Sequence, residues 1–147
     1  MISRFEELLK QLANLLNTPL HVDTKGCCAI LVDERLKVQL ELDKSQEKVI
    51  LSGYITSIIP GRFRENVLIE ALKENDQNFQ TGILGYSSYN DMLALFLVLS
   101  LHLLNGEILA DQLASFIAKA MEWQNAIRAG YPAPISTDAS DKPLYKK

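Results

Sequence analysis

Apolar residues open the chain on one helical stripe. Phe5, Leu8, Leu9, Leu12, Leu15 and Leu16 recur at three- and four-residue spacing, which predicts an amphipathic helix over 5–16. Ser3 followed by Glu6 forms a capping box, in which each side chain satisfies a backbone N–H at the helix start. Asn17-Thr18-Pro19 stops the helix, because the residue before a proline avoids the helical region. The pattern then changes period. A β-branched and apolar run at 27–33 predicts a strand, and Asp33-Glu34-Arg35 is short enough to turn a hairpin. Leu36, Val38, Leu40 and Leu42 alternate with Lys37, Gln39, Glu41 and Asp43, the signature of a sheet wet on one side. After a polar turn at 44–47, a third strand over 48–59 carries apolar residues on both faces, and both are expected to be at least partly covered.

Pro60-Gly61 breaks the pattern, and a second helix follows over 62–76. Its apolar residues Phe63, Val67, Leu68, Ile69, Ala71 and Leu72 exceed one stripe, so it is expected to pack on two sides. A short strand at 82–86 and a turn at 87–91 lead to the continuous apolar run 92–99, expected as a central strand buried on both faces. Asn105-Gly106 opens a long third helix over 107–128, with Leu109, Leu113, Phe116, Ile117, Ala120 and Ile127 inward and Trp123 at the margin. Gly130-Tyr131-Pro132 ends it. The order α-β-β-β-α-β-β-α predicts an α+β fold: a mostly antiparallel five-stranded sheet with three helices, one domain over 1–130. A polar tail over 131–147, with prolines at 132, 134 and 143, is expected to be disordered.

Composition narrows the function by exclusion. The chain has 147 residues, enough for one core, and its net charge of -3 comes without any basic run, so nucleic acid is not an expected partner. The longest apolar stretch, 92–104, contains Ser100 and His102 and is too short to span a bilayer, which takes about 20 residues in a helix. The start of the chain lacks a signal peptide's basic and apolar regions, so a cytoplasmic location is expected. Cys27 and Cys28 are adjacent, read as free thiols with one of the two buried by strand alternation.

No arrangement of residues points to catalysis. The glycines are isolated, without a phosphate-cradling motif. His21 and His102 have no carboxylate or cysteine at ligand spacing, so no metal and no cofactor are expected. Glu6-Glu7, Asp33-Glu34 and Glu74 with Asp76 sit where solvated turns and helix ends belong, and Ser87-Ser88 has no visible base. The chain is read as a non-enzyme. What it does have is surplus apolar surface on strands two, three and five and on helix two, which suggests faces covered by other polypeptides.

The element order, the acidic balance and four local stretches resemble a known family. The stretches are Phe5-Glu6-Glu7-Leu8-Leu9 with Leu12, the alternating strand 36–42, the apolar strand 92–99, and the last helix over 113–123 with its late Phe116 and Trp123. Over about residues 2–130 the chain is similar to the class I type III secretion chaperones of the Tir chaperone (CesT-like) family. The prolines from Tyr131 onward depart from that family's compact end.

The resemblance implies a cytoplasmic bacterial homodimer that binds the extended N-terminal segment of a secreted effector, without ATP, and keeps it soluble and ready for export. It places the protein among virulence functions, with the secretion apparatus as a further partner and no membrane insertion. Under that reading Leu36, Val38, Leu40, Ile50 and Tyr54 are expected to line effector grooves. Val67, Leu68, Leu72, Leu84 and Tyr86 are expected at the dimer interface. The alternatives are a homodimeric adaptor or regulatory module of the same fold that binds a folded partner, and a small-molecule site in a deep polar pocket.

Overall fold

The computed structural model describes residues 3–135; the greater part of the expected tail, 136–147, lies outside them. Helix α1 (Arg4–Leu16) leads into strands β1 (Cys27–Val32), β2 (Leu36–Asp43) and β3 (Lys48–Ser57). Helix α2 (Arg62–Gln77) and a one-turn 3-10 helix (Phe79–Thr81) follow, then β4 (Ile83–Ser87), β5 (Met92–Ser100) and the long helix α3 (Gly106–Arg128). The strands form one antiparallel sheet in the order β1-β2-β3-β5-β4. The expected element order and fold class are thus observed.

Local chemistry sets the element ends. Ser3 Oγ accepts from the Glu6 N–H at 3.1 Å while the Glu6 carboxylate takes the Ser3 N–H, and Asn17 closes α1 in the left-handed region at φ 53°. Asn105 caps α3, its side chain accepting from the Ile108 N–H at 2.8 Å. Between β1 and β2 both Asp33 and Glu34 are left-handed (φ 51° and 58°), and the Arg35 N–H donates to Val32 O at 2.9 Å. This is a mirror-image turn whose twist matches the strands, built here without glycine.

One face of the sheet is covered by all three helices. Leu36, Val38 and Leu40 of β2, Val49 and Leu51 of β3, and Leu93 and Leu95 of β5 point to that face at 0–1% exposure. Phe116 of α3 packs over Gly53, where an added Cβ would lie 3.9 Å from the ring. Leu8 and Leu12 of α1 and Leu109 and Leu113 of α3 close the core, and Trp123, expected at a margin, is inside it at 3% exposure. Val67 and Ala71 are the buried residues of α2, which leans on β4; Asn75 anchors it by trading hydrogen bonds with the backbone of Leu84 at 2.8 and 2.9 Å.

Two of the sequence expectations need correction here. Strand β5 is not buried on both faces, and α2 packs on one side only, whereas the second face of β3 is covered in part, with Ile50 half-buried and Tyr54 exposed. On the second side, Phe96 and Val98 of β5 and Ile69 and Leu72 of α2 are left exposed.

A bulge in β3, where Tyr54 and Thr56 face successive residues of β5, leaves Ile55 without a ladder partner. The side chain of Gln124, fully buried on α3, repairs this: its Nε2 donates to Ile55 O at 2.7 Å and to Arg35 O at 3.0 Å. Arg35 Nε in turn donates to Gln124 Oε1 at 3.0 Å. Gln124→Leu keeps the volume but orphans two carbonyls. It is expected to cost about 2 kcal/mol in denaturant unfolding, without changing the cooperativity.

Candidate functional site

Antiparallel pairing dictates which side chains share the uncovered face. The partners of inward Leu40 and Val38 are Leu51 and Gly53, so Ile50, Ser52 and Tyr54 must point outward with Lys37, Gln39 and Glu41. Across β3 and β5, Ser52 faces Phe96, Ile50 faces Val98 and Tyr54 faces Ala94; Ile83 of β4 faces Phe96 in its turn. The outcome is a sheet face bearing Leu31 (64% exposed), Tyr54 (50%), Val98 (45%), Phe96 (40%) and Ile83 (36%), with no helix of the described residues over it.

Tyr54 and Phe96 flank a hollow of about 480 Å³ whose floor includes Gly85 and Ala94. Small floor residues between two aromatic rings leave room for inserted side chains. The charged residue in its lining is Lys37, with Gln39, Ser52 and Ser87 as neutral polar groups. Both sheet edges bound this face. The start of β1 is paired by a bridge from Val22 to Cys28, with the Asp23 N–H on Cys27 O at 2.8 Å, and β4 pairs only with β5.

A second apolar surface lies on α2. Ile69 and Leu72 are 51% and 69% exposed, and Phe79, just past the helix, is 55% exposed. At the other end of α2, Arg64 donates to Ile58 O from Nε (3.1 Å) and Nη2 (2.7 Å) and stacks 4.9 Å above the Tyr86 ring. The Tyr86 hydroxyl donates to Asp91, a bond that pushes its pKa above the usual tyrosine value. This network holds the loop before α2 against the β4–β5 hairpin.

The residues expected from sequence divide between the two faces of the sheet. Leu36, Val38 and Leu40 lie under the helices and present nothing to a guest; Ile50, half-buried, and Tyr54, exposed, lie on the open face. The physical reason is that β2 is amphipathic, so its apolar set goes inward, and register carries Leu51 with it. Of the residues expected at an interface, Val67 and Leu84 belong to the molecule's own core, Leu68 and Tyr86 are half-buried, and Leu72 is exposed. Leu31, Phe96, Val98, Ile83, Ile69 and Phe79 were not singled out. The available signal for Phe96 and Val98 was the unbroken apolar run 92–99 in a chain with only three helices to cover it.

Reactive chemistry does not gather on either surface. Burial pushes both cysteine thiols above their ordinary pKa, with Cys28 fully enclosed, so both are neutral near pH 7. Asp23 is held below the usual carboxylate range by the backbone N–H groups of Cys27 and Lys25 at 2.9 and 2.8 Å; its role is to shape the turn before β1. Among the described residues no cluster of three His, Cys, Asp or Glu side chains is placed to hold a metal, and no helix is long and apolar enough to cross a membrane.

Comparison with known proteins adds independent evidence. The family model described as "Tir chaperone protein (CesT) family" matches residues 7–124. The ExsC–ExsE complex contains a similar structure, with TM-score 0.69 and 23% identity, covering 80% of this chain and 89% of that one. The HopA1–SchA chaperone–effector complex gives TM-score 0.69 and 21% identity over 84% of this chain and 94% of that one. The Yersinia pestis type III secretion chaperone SycH, solved with a fragment of YscM2, gives TM-score 0.63 and 21% identity over 77% and 93%. No curated protein sequence matches the chain.

Proposed function

This chain belongs to the Tir chaperone protein (CesT) family, and we propose that it is a type III secretion chaperone that holds an extended N-terminal segment of an effector across its uncovered sheet face. The observation that carries this reading is the open face itself: five large apolar side chains, a hollow between two aromatic rings, and, among the described residues, no helix above them. Apolar side chains of a guest would fill the hollow while its backbone extends along a free sheet edge. Ordering such a segment costs about 2–5 kcal/mol or more, which a wide wrapped surface offsets. The binding needs neither ATP nor a chemical step, and takes place in the bacterial cytoplasm before export.

The exposed side of α2 is the second half of the proposal. Ile69 and Leu72 join two copies into a homodimer, which places two guest surfaces on one particle and raises the effective concentration at the second. Leu72→Asp puts a charge where the symmetric contact requires apolar surface. It is expected to yield folded monomers by sedimentation equilibrium, and an unchanged dimer mass would remove α2 from the interface.

Co-purification from the native host, followed by limited proteolysis, tests the chaperone reading. The expected result is a secreted protein whose N-terminal segment is protected in the complex and cleaved when free. A partner that is already folded when free, and bound through its folded surface, would favour an adaptor role instead.

A further inference from the structure

Lys119 is a cation inside the protein that none of the surfaces described so far uses. It lies on α3 with its side chain 7% exposed, and its ammonium group meets three oxygens. Nζ donates to Asn78 O at 2.9 Å and to Gly82 O at 2.8 Å, and pairs with Glu74 Oε2 at 3.1 Å. Three donors thus meet three acceptors, the condition for keeping a buried ammonium charged. The acceptors come from one place. Glu74 lies in the last turn of α2, Asn78 is its C-cap, and Gly82 follows the turn Phe79–Thr81. Helix C-terminal carbonyls carry partial negative charge, so a cation is favoured there.

The two clasped carbonyls belong to the peptide groups that lead directly into Phe79 and Ile83. Both side chains are exposed, Phe79 beside the end of α2 and Ile83 at the start of β4. Gly82 between them has φ 138° and packs so closely on Leu95 that a Cβ would fall 2.8 Å from its side chain, so this position takes only glycine and leaves the corner's conformation to its hydrogen bonds. An apolar side chain in place of Lys119 would fill the space but leave Glu74 and two carbonyls without their donor, which costs some folding stability as well as freeing the corner. It would not hold two carbonyls and a carboxylate in one arrangement.

We propose that Lys119 is a positioning residue for self-association, fixing the turn that carries Phe79 so that it extends the apolar face of Ile69 and Leu72 toward a second copy of this chain. The inference rests on the dimer reading of α2 given above. The charge contributes indirectly: it touches no partner and acts through the peptide planes on either side of the turn that presents Phe79.

Sedimentation equilibrium of the full chain, with denaturant unfolding of the same samples, tests this. Lys119→Met is expected to weaken dimerisation by about 10-fold or more while secondary structure is retained, and to have little further effect in a Phe79→Ala background, since both changes act through one contact. Should Lys119→Met fail to fold, Glu74→Gln serves. Only the ion pair is lost there, with an expected weakening of about 3-fold and faster amide exchange at residues 79–83. A wild-type chain that stays monomeric at all concentrations would overturn the dimer reading and this inference together. A wild-type dimer whose dissociation constant is the same in the folded variants, or additive with Phe79→Ala, would overturn the role of Lys119 alone.

Discussion

Leu40→Asp is expected to abolish folding. Leu40 sits in the middle of β2 between Cys28 on β1 and Leu51 on β3, and all three are at 0% exposure under the helices. The substitution removes the apolar contacts of a fully enclosed leucine, a loss of about 2–5 kcal/mol by itself. It also buries a carboxyl group with no donor in reach, since its neighbours are hydrocarbon and a thiol, at a further cost of about 2 kcal/mol or more. The sum is comparable with the whole stability of a domain this size, about 5–15 kcal/mol. Circular dichroism and thermal melting check it, with Leu31→Asp as the matched control. Leu31 is on a strand of the same sheet but 64% exposed on the open face, and its substitution is expected to leave the melt nearly unchanged. A folded Leu40→Asp variant that had merely lost its guest would show that β2 faces the other way.

Phe96→Asp is expected to do the reverse, keeping the fold and losing the guest. Phe96 is 40% exposed on β5 with Ser52 and Ile83 as its cross-strand neighbours, so a carboxylate there reaches water and the domain loses only about 1 kcal/mol. The same ring forms one wall of the hollow, where a guest side chain would be enclosed. Removing an aromatic anchor from the centre of an interface typically costs about 2 kcal/mol or more, a loss of roughly 30-fold in affinity. Titration of the co-purified guest segment into wild-type and variant protein measures it. Undiminished binding, with the melt unchanged, would take the guest off this face.

Much of the architecture was legible because period reports secondary structure directly. The stripe Phe5-Leu8-Leu9-Leu12 with its Ser3–Glu6 box predicted α1, and the strict alternation of β2 predicted a half-wet strand; both are present with those residues buried. The surplus of apolar residues on β5 and α2 was also visible, and it marks the two surfaces proposed for binding. The residues that the sequence suggests for those surfaces divide between surface and core. Val67 and Leu84 lie among more apolar residues than one stripe needs. They pack into their own core, Val67 as one of the two buried residues of α2 and Leu84 tied to Asn75. The exposed members of the same segments, Ile69 and Ile83, have the same chemistry and differ only in direction.

Sequence alone determined the element order, the alternation within each strand and the excess of hydrophobic side chains over what three helices hide. These are properties of neighbours along the chain, set by backbone geometry and side-chain spacing. Tertiary structure decided which excess is left open. Pairing register placed Leu36, Val38 and Leu40 with Leu51 under the helices and Tyr54 with Ala94 and Phe96 on the bare face, and α3 brought Lys119 and Gln124 to carbonyls 37 to 89 residues away in the chain. A two-residue repeat distinguishes the sides of a strand but not which one the rest of the molecule covers, and that choice exists only once the strands and helices have met.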